Sequence, residues 1–148
     1  MAADESYTNG VYMAQEANEL VVTDSGSITV ESGGSLLIET GGSIKANAGA
    51  VTLSSSAGTL NASTGLITTE ALTTAAGAAE TLTITNSLCA AADTILLTRN
   101  GGTSDEGTEI FSVVPGAGSF VITVENRHAS AALDGTLIIG FLIIKAGT

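Results

Sequence analysis

The sequence has 148 residues, which is enough for one ordinary domain or two small ones. It is rich in glycine, has only 3% aromatic residues and contains no tryptophan. Fifteen acidic residues against four basic ones give a net charge of −11, and residues 1–44 contain seven acids and no base. This balance argues against binding to nucleic acid or to anionic membranes, and the scarcity of aromatic side chains argues against a deep cofactor pocket.

Residues 1–19 have no clear hydrophobic period and are predicted to be an N-terminal arm. Its bulky apolar side chains are Tyr7, Val11, Tyr12 and Met13, set among acids and amides. Tyr and Met are favoured at protein interfaces, so these four side chains are the candidate partner-binding residues. The alternative is a terminus that packs on its own chain. The segment lacks the basic and apolar regions of a secretory signal, so we expect synthesis in the cytosol.

Glycine recurs every eight residues at the start of the stretch 26–66. Gly26, Gly34 and Gly42 keep this spacing, and each is followed by a small residue and then by an apolar–x–apolar triplet. A period of two is typical of a strand with one buried face, and the glycine–small pair indicates a turn. We therefore predict a short β-solenoid or β-prism stem over residues 20–66.

The predicted stem is too short to enclose its own apolar face, because a repeat unit must stack on neighbours to bury that face. One solution is an obligate homotrimer in which each chain forms one side of a three-sided stem. The other is a monomeric two-layer β-roll that lies on the C-terminal domain. In the trimer, the predicted interface consists of Ile28, Val30, Leu36, Ile38, Ile44, Val51, Leu53 and Leu60.

The composition changes after the repeat. Residues 67–79 are rich in Thr and Ala and are predicted to be an extended linker. Residues 80–148 contain short alternating strands separated by turn signals such as Asn100-Gly101-Gly102. This pattern predicts a small antiparallel β-sandwich or barrel-like domain, with the most apolar strand, residues 136–144, at the centre of a sheet.

Few residues are candidates for chemistry. His128 is the only histidine, and although Ser130 and Asp134 follow it, the sequence has neither a nucleophile elbow nor an oxyanion-hole glycine pattern. Cys89 is the only cysteine, so no intrachain disulfide can form, and one Cys with one His cannot build a zinc site within one chain. We therefore expect neither an enzyme, nor a metal site, nor a cofactor.

Three stretches together resemble the capsid decoration, or cement, proteins of tailed bacteriophages. They are ESGGSLLIETGGSI at residues 31–44, TTEALTTAAGAAETLTITNSL at 68–88 and VVPGAGSFVITVENRHASAALDGTLIIGFLI at 113–143, and they follow the acidic N-terminal arm. Related modules occur in phage head fibres and tail spikes. The resemblance implies a structural virion protein without catalytic residues: a homotrimer on the outer capsid surface that binds the major capsid protein and stabilises the shell. The alternative is a tail-fibre, spike or adhesin module that binds a host receptor or glycan.

Overall fold

The chain divides into two compact units, Met1–Ile44 and Lys45–Thr148. Each unit is all-β, and no residue described in either one belongs to a helix. The computed structural model describes residues 11–14, 19–22, 27–30, 32–38, 40, 42–46, 48–104 and 107–147.

Among its described residues, the first unit contains one antiparallel strand pair. Its strands are β1 (Val11–Ala14) and β2 (Glu19–Val22), paired so that Tyr12 lies opposite Val21 and Met13 opposite Leu20. The residues described from 27 to 44 join no strand, although their alternation predicted several. A strand needs a neighbour for its backbone N–H and C=O groups, and in the single chain this segment has none among the residues described.

The second unit is a β-sandwich of two four-stranded sheets. The strands of the first sheet, in spatial order, are β3 (Ala48–Thr52), β5 (Thr64–Thr68), β10 (Leu137–Ile144) and β7 (Thr94–Gly102). The strands of the second sheet, in spatial order, are β4 (Ala57–Thr59), β6 (Ala79–Thr85), β9 (Ser119–Asn126) and β8 (Thr108–Gly116).

A single apolar core lies between the two sheets. Ile67 and Leu137 from the first sheet and Leu82 and Phe120 from the second are fully buried in it. The ring of Phe120 also contacts that of Phe141 across the core, with 5.3 Å between the ring centroids. The all-β prediction is confirmed for this unit. The two sheets do not close into a barrel, so of the two predicted architectures the unit has the sandwich and not the barrel-like one.

Both sheets are mixed, whereas the sequence predicted an antiparallel domain. The pairs β5–β10, β7–β10, β6–β9 and β8–β9 are antiparallel, but β3–β5 and β4–β6 are parallel. The parallel pairs arise because the chain alternates between the sheets from β3 to β6, so that strands two apart in sequence run in the same direction.

The second unit begins at Lys45, earlier than the sequence-based boundary at residue 80. Strands β3 and β4 and the first three residues of β5 come from the segment assigned to the stem, and each of these strands pairs with a neighbour in the sandwich. In the segment assigned to the linker, Leu72 is buried in the core and its backbone bridges to Gly135. The second unit includes these segments because their apolar side chains fit between the two sheets of the sandwich.

The most apolar strand, β10, occupies an inner position of its sheet, as predicted. The turn predicted at Asn100-Gly101-Gly102 is wrong, because these residues end strand β7 opposite an irregularity between Ile138 and Ile139. Gly102 has φ +117°, and a Cβ there would overlap the backbone of Thr136. The glycines therefore allow an irregular strand end to lie against β10.

Candidate interaction surfaces

Five of the predicted interface residues are exposed in the first unit or at its end. Their exposed fractions range from 40% for Ile38 to 79% for Ile44, with Ile28, Val30 and Leu36 between. Leu37 is exposed to 77%, although sequence analysis did not assign it to an interface. The single chain thus leaves a run of large apolar side chains in contact with water, which is unusual for a stable monomer surface.

The other three predicted interface residues lie in the second unit and pack within their own chain. Leu53 is buried in the sandwich core, and Val51 and Leu60 are half-buried against it. The structure therefore does not bring the eight residues together on one surface. The cause is that β3, β4 and the residues that directly follow them belong to the sandwich, where these three side chains pack in or against the core.

The residues predicted for the N-terminal arm lie in and before the strand pair of β1 and β2. Val11, Tyr12 and Met13 belong to β1, and Tyr7 lies outside the described residues. The arm is therefore tied by backbone pairing to residues 19–22, a feature that its irregular sequence did not indicate.

The sandwich has an apolar outer face that sequence analysis did not identify. We define the outer face as the solvent side of the first sheet, where Leu66, Leu96, Leu142 and Ile144 are 39–52% exposed. The strand register places Leu142 beside both Thr64 and Leu96. The pattern that could have revealed this face is the run LIIGFLII at 137–144, which is apolar at both odd and even positions.

A depression of about 400 Å³ lies on the outer face. Its floor includes Gly140, where a Cβ would come within 2.9 Å of Thr98 Cγ2 and 3.0 Å of Asn100 Nδ2. The residues around it carry no charge: Ala48, Thr64, Gly65, Leu66, Leu96, Leu97, Thr98, Asn100, Gly140, Phe141 and Leu142.

A smaller apolar feature lies on β8, the edge strand of the second sheet. Phe111 is 62% exposed and Val114 is 61% exposed. The register of β8 shifts between Ile110 and Ser112, so Phe111 sits at an irregularity of the strand. Such irregularities redirect side chains and protect edge strands from unwanted pairing.

The residues considered for catalysis or metal binding make local structural contacts. His128 Nδ1 accepts hydrogen bonds from the backbone N–H groups of Ser130, at 3.2 Å, and Ala131, at 2.9 Å. Cys89 is buried and free. In the part of the chain that the structure describes, no three His, Cys, Asp or Glu residues are grouped so that they could hold a metal ion.

A carboxylate stabilises the turn between β3 and β4. Ser55 and Ser56 adopt φ angles of +53° and +57°, which are unfavourable for residues with a Cβ. Their backbone N–H groups both donate to the Glu70 carboxylate, that of Ser55 over 2.7 Å. Hydrogen bonds from the backbone of Ser56 and then of Ser55 lower the pKa of Glu70. We interpret this cluster as support for a strained turn.

A second carboxylate anchors the C-terminal end of β10. The Asp93 side chain is almost completely buried and accepts hydrogen bonds from Lys145 Nζ, at 2.5 Å, and from the backbone N–H groups of Ala90 and Ala146. The hydrogen bond from Lys145, followed by that from Ala90, lowers the pKa of Asp93.

Comparison of the chain with known protein families, curated proteins and solved structures identified no relative. No protein-family model, no curated protein and no solved structure matches the chain. Within the residues described, no helix is long and apolar enough to cross a membrane.

Proposed function

We propose that this protein is a structural virion protein, a homotrimeric capsid decoration protein that binds the major capsid protein on the outer shell and stabilises it. The observation that carries the proposal is the contrast between the units. The sandwich buries its core within one chain, whereas Ile28, Leu36 and Ile44 remain 65–79% exposed. Exposed apolar side chains of this size are expected to be covered in an assembly.

In the proposed trimer, the segment from residue 27 to 44 forms a stem with its counterparts in the other two chains. Each copy would supply the neighbouring strands that the single chain lacks, so that the predicted solenoid or prism ladder forms only on assembly. Ile28, Val30, Leu36, Ile38 and Ile44 line this contact. Val51, Leu53 and Leu60 do not, because they pack against the core of their own sandwich.

The proposed partner-binding element is the N-terminal arm. Asp4, Glu5, Glu16 and Glu19 give it a negative charge that would steer it toward basic patches on a shell protein. Three arms on one trimer multiply a modest affinity: a contact of ~4 kcal/mol is millimolar alone, and three together approach nanomolar affinity before ordering losses.

The test is decoration of undecorated capsids by purified protein. We expect deletion of residues 1–18 to abolish capsid binding and to leave the thermal transition of the sandwich unchanged. Tyr12→Ala should weaken binding by ~1–2 kcal/mol per chain, as measured by titration of capsids with labelled protein. If the truncated protein decorates capsids as well as the full chain does, the arm is not the binding element.

A second function is favoured by one observation, the exposure of Phe111. Sugar-binding sites use exposed aromatic rings as stacking platforms, and Phe111 is 62% exposed. A tail-fibre, spike or adhesin module would use such a ring to bind a glycan or receptor. Glycan binding that is lost in Phe111→Ala, with no binding to capsids, would favour this function over capsid decoration.

A further inference from the structure

One asparagine of the sandwich is exposed and is followed directly by glycine. Asn100 lies near the end of β7, an edge strand of its sheet, and Gly101 is the next residue. The register passes from Arg99 opposite Ile139 to Gly101 opposite Ile138, so Asn100 has no partner on β10. An extra residue of this kind lies outside the backbone hydrogen-bond ladder, which is locally disrupted.

The side chain of Asn100 differs from those of the other asparagines that the structure describes. Asn61, Asn86 and Asn126 each form side-chain hydrogen bonds with backbone groups, and the last two are fully buried. Asn100 is exposed, and its side chain has no hydrogen bond to another described residue. Its amide lies against Gly140, where an added Cβ would be 3.0 Å from Asn100 Nδ2.

An asparagine in this setting can lose its amide group in water without a catalyst. The backbone nitrogen of Gly101 attacks Cγ of Asn100, and the new C–N bond closes a five-membered succinimide ring. The bond from Cγ to Nδ2 breaks, and ammonia leaves with the proton that the Gly101 nitrogen gives up. Water then opens the ring at either carbonyl and leaves aspartate or isoaspartate, so one water is consumed for each ammonia released.

Glycine at the second position favours this attack because it has no side chain to hinder the approach. Gly101 has φ +144°, and nothing lies within 4 Å of a Cβ built on it. A residue without a Cβ also adopts backbone angles that are closed to other residues. Both the attacking nitrogen and the amide that it attacks are therefore in open surroundings.

We propose that Asn100 is a site of spontaneous deamidation, which places a carboxylate beside the depression on the outer face. All residues around this depression are uncharged in the unmodified chain. The reaction adds one negative charge to a chain that already carries −11. The outer face is thus uncharged around the depression in newly made protein and becomes acidic there as the protein ages. The inference does not rest on the proposed function, because it requires only Asn100, Gly101 and water.

The experiment incubates the purified chain at about pH 8, where the peptide nitrogen loses its proton more readily than at neutral pH. Peptide mapping by mass spectrometry then follows each asparagine, because deamidation replaces the amide NH2 by oxygen and raises the mass by about 1 Da. We expect Asn100 to react at least ~10-fold faster than Asn61, Asn86 or Asn126. Asn9 is also followed by glycine but lies outside the described residues, so its peptide is scored separately.

The same measurement in about 8 M urea separates the effect of the fold from that of the sequence, because the unfolded chain exposes every asparagine. Folding should slow the reaction at Asn86 and Asn126 by ~100-fold or more and at Asn100 by less than ~10-fold. The product at position 100 should include isoaspartate, which only opening of the ring provides.

Two variants complete the test. Asn100→Gln should abolish the product at position 100, because the longer side chain must close a six-membered ring, which forms more slowly. Asn61→Gln is the matched control, since Asn61 is exposed but hydrogen-bonded, and it should leave the yield at position 100 unchanged. Gly101→Ala is not suitable, because φ +144° strains a residue that has a Cβ.

Three results would overturn the inference. The first is an Asn100 that reacts no faster than the three hydrogen-bonded asparagines. The second is a reaction at Asn100 that folding slows as strongly as it slows those at Asn86 and Asn126. The third is a product at position 100 that contains aspartate alone, which would contradict the succinimide route.

Discussion

The two compact units carry the same repeat, but among the described residues only the second unit buries the large apolar side chains of that repeat. In the second unit, Leu53 is buried and Leu60 packs against the core, because strands from residues 79–144 supply the opposite surfaces. In the first unit, Leu36 and Ile44 follow the same pattern and are exposed. The comparison shows that alternation alone does not produce a buried face. A strand-forming segment also needs a partner, in its own chain or in another.

The largest expected effect concerns the boundary between the units. The fragment Lys45–Thr148 should fold cooperatively, because it contains both sheets and the whole core. The fragment 80–148 should not fold, because it lacks three strands and the buried side chains Leu53, Ile67 and Leu72. Thermal unfolding of the two fragments, followed by circular dichroism, measures this difference. A cooperative transition in the shorter fragment would show that β3 to β5 are dispensable.

The next prediction compares a buried with an exposed position of the same residue class. Ile67→Asp places an unpaired charge in the core and should cost ~3 kcal/mol or more, a large part of the ~5–15 kcal/mol stability of a typical domain. Leu36→Asp should leave the unfolding transition of the sandwich unchanged. If the stem is the trimer contact, Leu36→Asp reduces the mass in solution. Urea denaturation and sedimentation of both variants separate the two effects.

The repeat also shows where sequence analysis succeeds and where it fails. The all-β class and the inner position of β10 followed from apolar alternation and from an uninterrupted apolar run. The glycines were interpreted as turns, but Gly49, Gly58 and Gly65 lie inside strands β3, β4 and β5. Side chains of the facing layer approach Gly49 and Gly58 closely, and the backbone of Gly49 on the adjacent strand leaves no room for a Cβ on Gly65. These are long-range contacts that a local pattern does not contain.

The candidate surfaces were predicted less well than the fold, for the same reason. Ile28 and Leu36 are exposed in the single chain, and their role in an interface stays a prediction. The outer face, in contrast, depends on which strands become neighbours. Leu66, Leu96 and Leu142 are far apart in sequence and meet only through the order β5, β10, β7. Strand order is decided by the whole core, so no short motif indicated this face.

A smaller effect is expected from adding one methyl group inside the sandwich. A Cβ on Gly49 would lie 2.5 Å from Leu60 Cδ1, so Gly49→Ala forces Leu60 to move and should cost ~1–3 kcal/mol. Gly147→Ala is the matched control, because nothing lies within 4 Å of a Cβ there. Denaturant midpoints of both variants provide the measurement. Equal midpoints would mean that the layers at Gly49 can separate without loss of stability.

The smallest expected effect at neutral pH comes from the carboxylates that support the sandwich. The folded protein lowers the pKa of Glu70 and of Asp93 below their ordinary values of about 4. Each therefore contributes stability that is fully present above its unfolded pKa and is lost as the pH falls through the lower folded pKa. The sandwich should accordingly lose stability as the pH falls below ~4.5.

Glu70→Gln tests this origin of the acid sensitivity, because it removes the titrating group and keeps only one of the two oxygens that accept the N–H groups of Ser55 and Ser56. The strained turn at Ser55 and Ser56 then depends on a neutral side chain, so stability at neutral pH should decrease and its dependence on acid should become shallower. Denaturant midpoints measured from pH 3 to pH 7 give the slope of stability against pH. This range includes the pKa of an ordinary Glu, about 4.3. An unchanged slope would mean that Asp93 and its partner Lys145 account for the acid sensitivity instead.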